Sequence, residues 1–333
     1  MQDNHFNGVL PDTRPQELKD RDFKSDNPEL PSGAGQINWI EKTPEQWVKY
    51  DPRYQIWSSS CLVQAFCKAC RTMGYPILSA YPPYRLRTNF SGPGSWMWDI
   101  ASLFKKIGTV LETQATSQNV GEDILNKNMT AELEALLADT PFKIGGYVYL
   151  AKNNFDNIAQ AVQDHKHCIL TFGANNSEWK EIPFINGTPD WYHGICATDL
   201  TLRNSKKYIV IDDSIDSNTF PNNQRLLSEE FINQRITGGV YLIPAVPPEP
   251  TDHIFTRPLK KGQKDPEVRF LQEKLKKLGY FPQIACTNFY GSITAKSLLK
   301  FQLAYNVDKP EVLNQLKGEH FGPKSIKAIN KTN

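Results

Sequence analysis

The stretch from Tyr54 to Phe66, YQIWSSSCLVQAF, sets Gln55 six residues ahead of Cys61, where a serine-rich turn opens into an apolar run. A cysteine attacks as a thiolate, and the unpaired N–H groups and dipole of a helix N-terminus favour that form. Cys61 stands where the turn meets the predicted helix. Such a thiolate needs an imidazole partner. His193 precedes the strand-like GICATDLTL and so projects from a strand end. The imidazole in turn needs an acceptor to orient it. The next strand-like run, KKYIVIDDS, ends in two carboxylates, Asp212 and Asp213. A tetrahedral oxyanion needs donors, which the Gln55 amide and the Cys61 backbone N–H can supply. Each residue alone has a plainer reading, since a lone cysteine is commonly a buried apolar residue. It is the ordered set that points to nucleophilic catalysis.

The elements that must position these residues are readable from periodicity. Helical patterns run from Ser60 to Met73, from Trp96 to Ile107 after SGPGS and before Gly108, over TAELEALLAD behind a Thr130 N-cap, and from about Phe155 to Asp164. Strand-like runs follow: KIGGYVYL, HCILTFGA, GICATDLTL, KKYIVIDDS and GGVYLIPAV. Helices first and strands later predict an α+β fold of two lobes, with the site in the cleft between them. The run PAVPPEPTD is a stiff, extended linker. We divide the chain into a polar N-terminal segment (1–29), a main domain (30–243), the proline-rich linker (244–256) and a C-terminal domain (257–333).

Bulk properties exclude several classes. A formal net charge of +2, with no dense basic block, gives no case for nucleic acid. No apolar run reaches membrane-spanning length, and the polar N-terminus is not a secretory signal. Six cysteines are too few for a disulfide scaffold in a chain of 333 residues. Cys67 and Cys70 form a CxxC, and His165, His167 and Cys168 could in principle complete a zinc site. Buried free thiols on a helix are the preferred reading, because structural zinc sites present two ligand pairs flanked by turns. No metal or organic cofactor is implied.

With these residues in view, the region from about Leu30 to Ile243 resembles the papain-like cysteine peptidases. QIWSSSCLVQAF is similar to the family's QGxCGSCWAF, with Gln55 and Cys61 in register. YHGICATDL is similar to its histidine segment HAVxxVGY. KKYIVIDDSID is similar to the strand ending in its asparagine motif, with Asp213 where the Asn stands. GGVYLI resembles the closing GYxxI strand, SGPGSWMWDIASLFKKIGTVLET the glycine-rich stretch, helix and Gly-x-x-x-Glu turn along the cleft, and PELPSGAGQINWIEK the mature start. The resemblance implies a helical lobe plus an antiparallel β lobe and a catalytic set of Cys61, His193, Asp213 and Gln55. Asp212 is the alternative acid, disfavoured because strand alternation points it to the other face. Leu62 replaces the family's Trp after the cysteine, and Ile215 the Trp that shields the orienting Asn. Those losses predict a site more open to water. Tyr192 and the Gly92–Trp96 stretch are candidate cleft walls.

The C-terminal segment has Val268, Leu271, Leu275 and Leu278 on one helical face, ended by Gly279, and a second helix near Ser292–Tyr305. A third starts at Gly322-Pro323. It resembles the three-helix peptidoglycan-binding domain: Val268, Leu271-Gln272, Leu278-Gly279-Tyr280, Tyr290-Gly291, Thr294, Phe301-Gln302 and Phe321-Gly322-Pro323 match its pattern in order. Most of these are core and turn positions. The insertion Asp308–His320 departs from the pattern.

The two resemblances together imply a cysteine peptidase acting on peptide or protein and carried to peptidoglycan. Without a signal peptide the chain is expected to be made in the cytoplasm and to act at the wall after release through a lysis pore, or on a virion. The alternatives are a protein-processing peptidase, in which the polar N-terminal segment lies over the cleft like a short propeptide, and a non-catalytic wall-binding protein.

Overall fold

A computed structural model describes residues 8–19, 37–50, 53–55, 57–151, 154–215, 223–245, 253–282, 286 and 288–332. Most of the proline-rich linker and of the expected mature start lies outside the described residues. Two compact units divide after Ala245. Among the described residues no helix is long and apolar enough to cross a membrane.

In the first unit, helix α1 (Cys61–Thr72) is the central element. Its ten residues from Cys61 to Cys70 are all buried. Leu62, Val63, Phe66 and Ala69 supply the apolar faces. The two polar residues inside it each find a partner: Gln64 accepts from Arg53 Nε at 2.8 Å, and Lys68 Nζ lies 3.2 Å from the buried Asp212. A helix buried all round is stable only because such groups are satisfied. Helix α2 (Tyr81–Arg85), helix α3 (Met97–Lys106) and helix α4 (Ala131–Ala138) complete the helical lobe. Thr130 caps α4 by accepting the Leu133 N–H at 3.2 Å. Phe66, Tyr84, Ile100 and Phe104 form the lobe's core with α1.

The β lobe is a six-stranded antiparallel sheet of β1 (Ile144–Leu150), β2 (Cys168–Ala174), β3 (Trp191–Arg203), β4 (Lys206–Asp212), β5 (Gln224–Ser228) and β6 (Ile236–Pro244), in spatial order β1-β6-β2-β3-β4-β5. Helix α5 (Phe155–His165) and helix α6 (Glu229–Arg235) pack against it. All five expected strands are present. The start of α1 meets β3 at Gly194, where an added Cβ would fall 2.8 Å from the Leu62 Cα. Only a residue without a side chain allows that approach, and it brings the neighbouring His193 to the helix N-terminus.

The second unit has its own core of Phe255, Val268, Leu271, Tyr290, Leu298, Phe301 and Phe321. Helices α7 (Pro266–Lys277), α8 (Ser292–Ala304), α9 (Pro310–Leu316) and α10 (Pro323–Ile329) surround it, with a short pairing of β7 (Leu259–Lys260) and β8 (His320–Phe321). The expected three helices are all here, and the Asp308–His320 insertion adds a fourth, α9. Gln272 and Gln302 are buried and tie helices together, donating to Thr294 Oγ1 and Ser325 Oγ at 2.8 Å each. Those two glutamines therefore serve the fold.

Candidate active site

The turn ahead of Cys61 is built from its own serines and one acid. Ser58 Oγ donates to the Gln55 carbonyl at 2.7 Å and lies 2.8 Å from Ser60 Oγ. The Ser59 N–H donates to Glu122 at 2.8 Å, and Trp57 takes a left-handed φ of 69°. Left-handed backbone at a bulky residue costs about 1–3 kcal/mol and is held only where neighbours over-determine it. Glu122 does so, because its own N–H also bonds the Trp57 carbonyl at 3.1 Å.

Cys61 opens α1 and is buried. Its sulfur accepts the Gly194 N–H at 3.3 Å, which sets it beside the neighbouring His193, on whose imidazole its charge acts. On the other side of the ring, His193 Nε2 lies 2.8 Å from Asp213 Oδ1. Burial alone would lower the His193 pKa. The facing charges of Cys61 and Asp213 and the hydrogen bonds to both outweigh it and push the ring up to about 9. Burial would likewise raise the Asp213 carboxyl, yet the imidazolium, Arg225 and the Trp179 N–H hold it well below the usual carboxylate range. His193, Asp213 and Arg225 form a buried run of alternating charge.

Strand alternation separates the two acids as expected. Asp212 faces α1 and Lys68, while Asp213, just past β4, faces the histidine. Gln55 is tied to the same strand end. The Ser214 hydroxyl donates to Gln55 Oε1 at 2.8 Å, and the Gln55 N–H donates to the Ser214 carbonyl at 2.9 Å. Pinning Oε1 leaves the amide NH₂ as the donating end, as an oxyanion donor requires. Consecutive residues Asp213 and Ser214 thus join His193 and Gln55 to one strand end.

The expected opening to water is not found. Trp179, from the loop between β2 and β3, covers the acid. Its Nε1–H donates to Asp213 Oδ2 at 2.9 Å, and its ring stacks on Phe172 with centroids 4.5 Å apart. Arg225 of β5 donates Nε–H to the same Oδ2 at 3.0 Å and lies 4.8 Å from the Trp179 ring centroid. The Trp179 loop is anchored by Glu178, which pairs with Arg235 of α6 and accepts the Asn186 N–H at 2.7 Å. Trp179, Arg225 and Ser214 were missed from sequence. Ser214 sits inside the DDS run that marked the acid, whereas nothing local marks the other two.

A further side chain-free contact covers Cys61. A Cβ added at Gly8 would fall 2.1 Å from the Cys61 sulfur and 2.9 Å from the Ser59 carbonyl oxygen. The flanking backbone pairs with a cleft wall: the Ser95 N–H donates to the Gly8 carbonyl at 3.1 Å, and the Leu10 N–H to the Ser95 carbonyl at 3.0 Å. Val9 is buried. Arg14 bonds Asp12 and lies 3.5 Å over the Tyr149 ring. A hollow of about 470 Å³ between this segment and the body is lined by Leu10, Arg14, Tyr192, Thr237 and Gly238. The candidate walls Ser95 and Tyr192 thus both face the segment.

The remaining cysteines differ in kind. Cys67, Cys70, Cys168 and Cys196 are buried free thiols. Burial pushes Cys67 up to about 12 and raises Cys70, Cys168 and Cys196 well above the ordinary thiol range. Among the described residues no group of three or more His, Cys, Asp or Glu is placed to hold a metal ion.

The first unit has the two-lobed fold of papain-like cysteine proteases, and the second unit carries a segment that matches a peptidoglycan-binding family model. The first unit is similar to xylellain, a cysteine protease from Xylella fastidiosa, at 15% identity and a TM-score of 0.58, covering 72% of this chain and 96% of that one. It is also similar to the digestive procathepsin L 3 of Tenebrio molitor larval midgut, at 15% identity and a TM-score of 0.50, covering 72% and 77%. Identities this low establish the fold. Residues 264–308 match the family model of the peptidoglycan binding domain. No curated protein sequence matches the chain.

Proposed function

We propose that the chain is a cysteine endopeptidase that hydrolyses peptide bonds through an acyl-enzyme and is held at peptidoglycan by its C-terminal domain. The observation that carries this is the buried imidazole of His193 placed between Cys61 and Asp213. Cys61 as thiolate attacks the peptide carbonyl. The oxyanion is received by the Gln55 amide and the Cys61 N–H at the start of α1. His193, kept charged to about pH 9, gives its proton to the leaving amine and then activates the water that releases the acyl group. Asp213 holds the ring in the tautomer and orientation this needs. The catalytic thiol must stay reduced, so the enzyme works in reducing conditions or is protected until use.

The contact between Gly8 and Cys61 favours one refinement. Substrate and residues 8–10 cannot occupy the same place, so the form described is self-blocked and its N-terminal segment must leave for turnover. A chain deployed late, through a lysis pore or on a virion, is a use that fits a blocked peptidase with a wall address. Purified peptidoglycan and an unfolded protein are the substrates to compare, using the full chain, a chain beginning at residue 20, and Cys61→Ala. Release of free amino groups from either substrate, greater after trimming and absent in Cys61→Ala, supports the reading. No release from either by the trimmed chain contradicts it.

A further inference from the structure

The acid beside His193 is surrounded by donors alone. Asp213 Oδ1 faces the His193 Nε2 at 2.8 Å and the Ile215 N–H at 3.2 Å. Its Oδ2 accepts from Trp179 Nε1 at 2.9 Å and from Arg225 Nε at 3.0 Å. A carboxylate accepts at both oxygens. An asparagine in the same place would turn an NH₂ donor toward Trp179 and Arg225, or toward His193 if flipped. The charge count agrees with the hydrogen bonds. Cys61 as thiolate, His193 as imidazolium, Asp213 as carboxylate and Arg225 as guanidinium sum to zero, and the His193, Asp213 and Arg225 side chains are at least 95% buried. Buried charges persist when each is paired and hydrogen-bonded.

We infer that Arg225, with Trp179, is a positioning residue for the reaction: it fixes an aspartate rather than an amide as the partner of His193 and balances the extra negative charge. Asp213 and Arg225 are then one functional pair, which tolerates joint replacement better than replacement of its acid alone. Other charged groups facing the set are the Lys68–Asp212 pair, from α1 and the end of β4, and the Glu178–Arg235 pair behind Trp179. Both pairs are internally neutral, so Arg225 supplies the positive charge that balances the set.

The inference rests on the peptidase reading for its catalytic meaning, and its test has a readout that needs no turnover. The His193 ring is titrated by NMR in the full chain carrying Arg225→Met, Arg225→Lys, Asp213→Asn and D213N/R225M, alongside hydrolysis by the same proteins trimmed at residue 20. Removing the guanidinium is expected to raise the titration point of His193 by about one unit, as loss of a nearby like charge does. Arg225→Lys restores the wild-type value, Asp213→Asn lowers it, and the double variant returns toward wild type. Hydrolysis should fall about 10- to 100-fold in Arg225→Met, the usual cost of losing a group that orients a reacting one. D213N/R225M should be more active than Asp213→Asn. An unmoved His193 in both Arg225 variants, or a double variant whose loss is the product of the single losses, overturns the inference. If Arg225→Met does not fold, Arg225→Gln, which also removes the charge, takes its place in the same titration, with the same expected rise and the same overturning result. If no protein hydrolyses anything while His193 follows the predicted order, the peptidase reading fails and the pairing stands.

Discussion

Gly8 lies directly against the Cys61 thiol, so closely that a Cβ at residue 8 would fall 2.1 Å from the sulfur. The contact links the N-terminal segment to the sulfur proposed as the nucleophile. Replacing Gly8 with valine leaves no room for the segment in its present place. Overpacking of this kind costs about 1–3 kcal/mol and shifts the segment toward an open state by about tenfold or more. Iodoacetamide is therefore expected to alkylate Cys61 faster in Gly8→Val than in wild type, and fastest in a chain starting at residue 20. Equal rates in all three would mean that the segment does not shield the thiol.

The pH dependence follows from His193. Its folded pKa, about 9, lies above the ordinary 6.5. The charged ring thus stabilises the fold fully below about pH 6.5, and that contribution is lost as pH rises through 9. The same proton is the one delivered to the leaving amine. Hydrolysis by the trimmed chain should hold through neutral pH and decline near pH 9, as kcat/KM profiles would record.

Lys68 and Asp212 form a buried pair 3.2 Å apart, with 5% and 7% of their side chains exposed. Removing only the lysine leaves a buried carboxylate without its counter-charge. Lys68→Met is expected to cost about 3–5 kcal/mol in urea unfolding, with Lys68→Met/Asp212→Leu recovering much of it. The pair is neutral as a whole, so Lys68→Met/Asp212→Leu, which removes both charges together, should leave the His193 titration near its wild-type position.

The C-terminal unit has its own core and needs no help from Cys61. Full-length Cys61→Ala should sediment with purified cell-wall sacculi, and a chain ending at Ala245 should remain in the supernatant. Retention of the shorter chain would move the wall-binding surface to the first unit.

Much of this architecture was legible because the informative residues are close in sequence or strictly ordered. Cys61 was marked by its turn and helix, His193 by the strand it joins, and the choice of Asp213 over Asp212 by the two-residue period of β4. The Trp179–Arg225 lid was not legible. Its members come from a loop and from β5, and only the tertiary fold brings them to Asp213. The sequence reading placed water where the shielding tryptophan was missing at Ile215, and a tryptophan from elsewhere in the chain fills that role. Helix α2 was hidden by Pro82 and Pro83, which its first turn tolerates because donors there have no partner within the helix. Helix α9 was hidden inside an apparent insertion. The propeptide-like expectation rests on the polarity of residues 1–29 as a whole, whereas the contact is made by Gly8, a residue whose only signal is the absence of a side chain.

The central claim is that Cys61 and His193 form a reactive thiolate–imidazolium pair. The most direct measurement is labelling of the trimmed chain by a peptidyl epoxide between pH 5 and 9, with the modified cysteine located by mass spectrometry and His193→Ala as the control. The account predicts selective labelling of Cys61 that persists to about pH 5–6, where an ordinary thiol is protonated, and that collapses in His193→Ala. Labelling of Cys61 no faster than of Cys67 or Cys70, and indifferent to His193, would contradict it and leave a wall-binding protein on a protease fold.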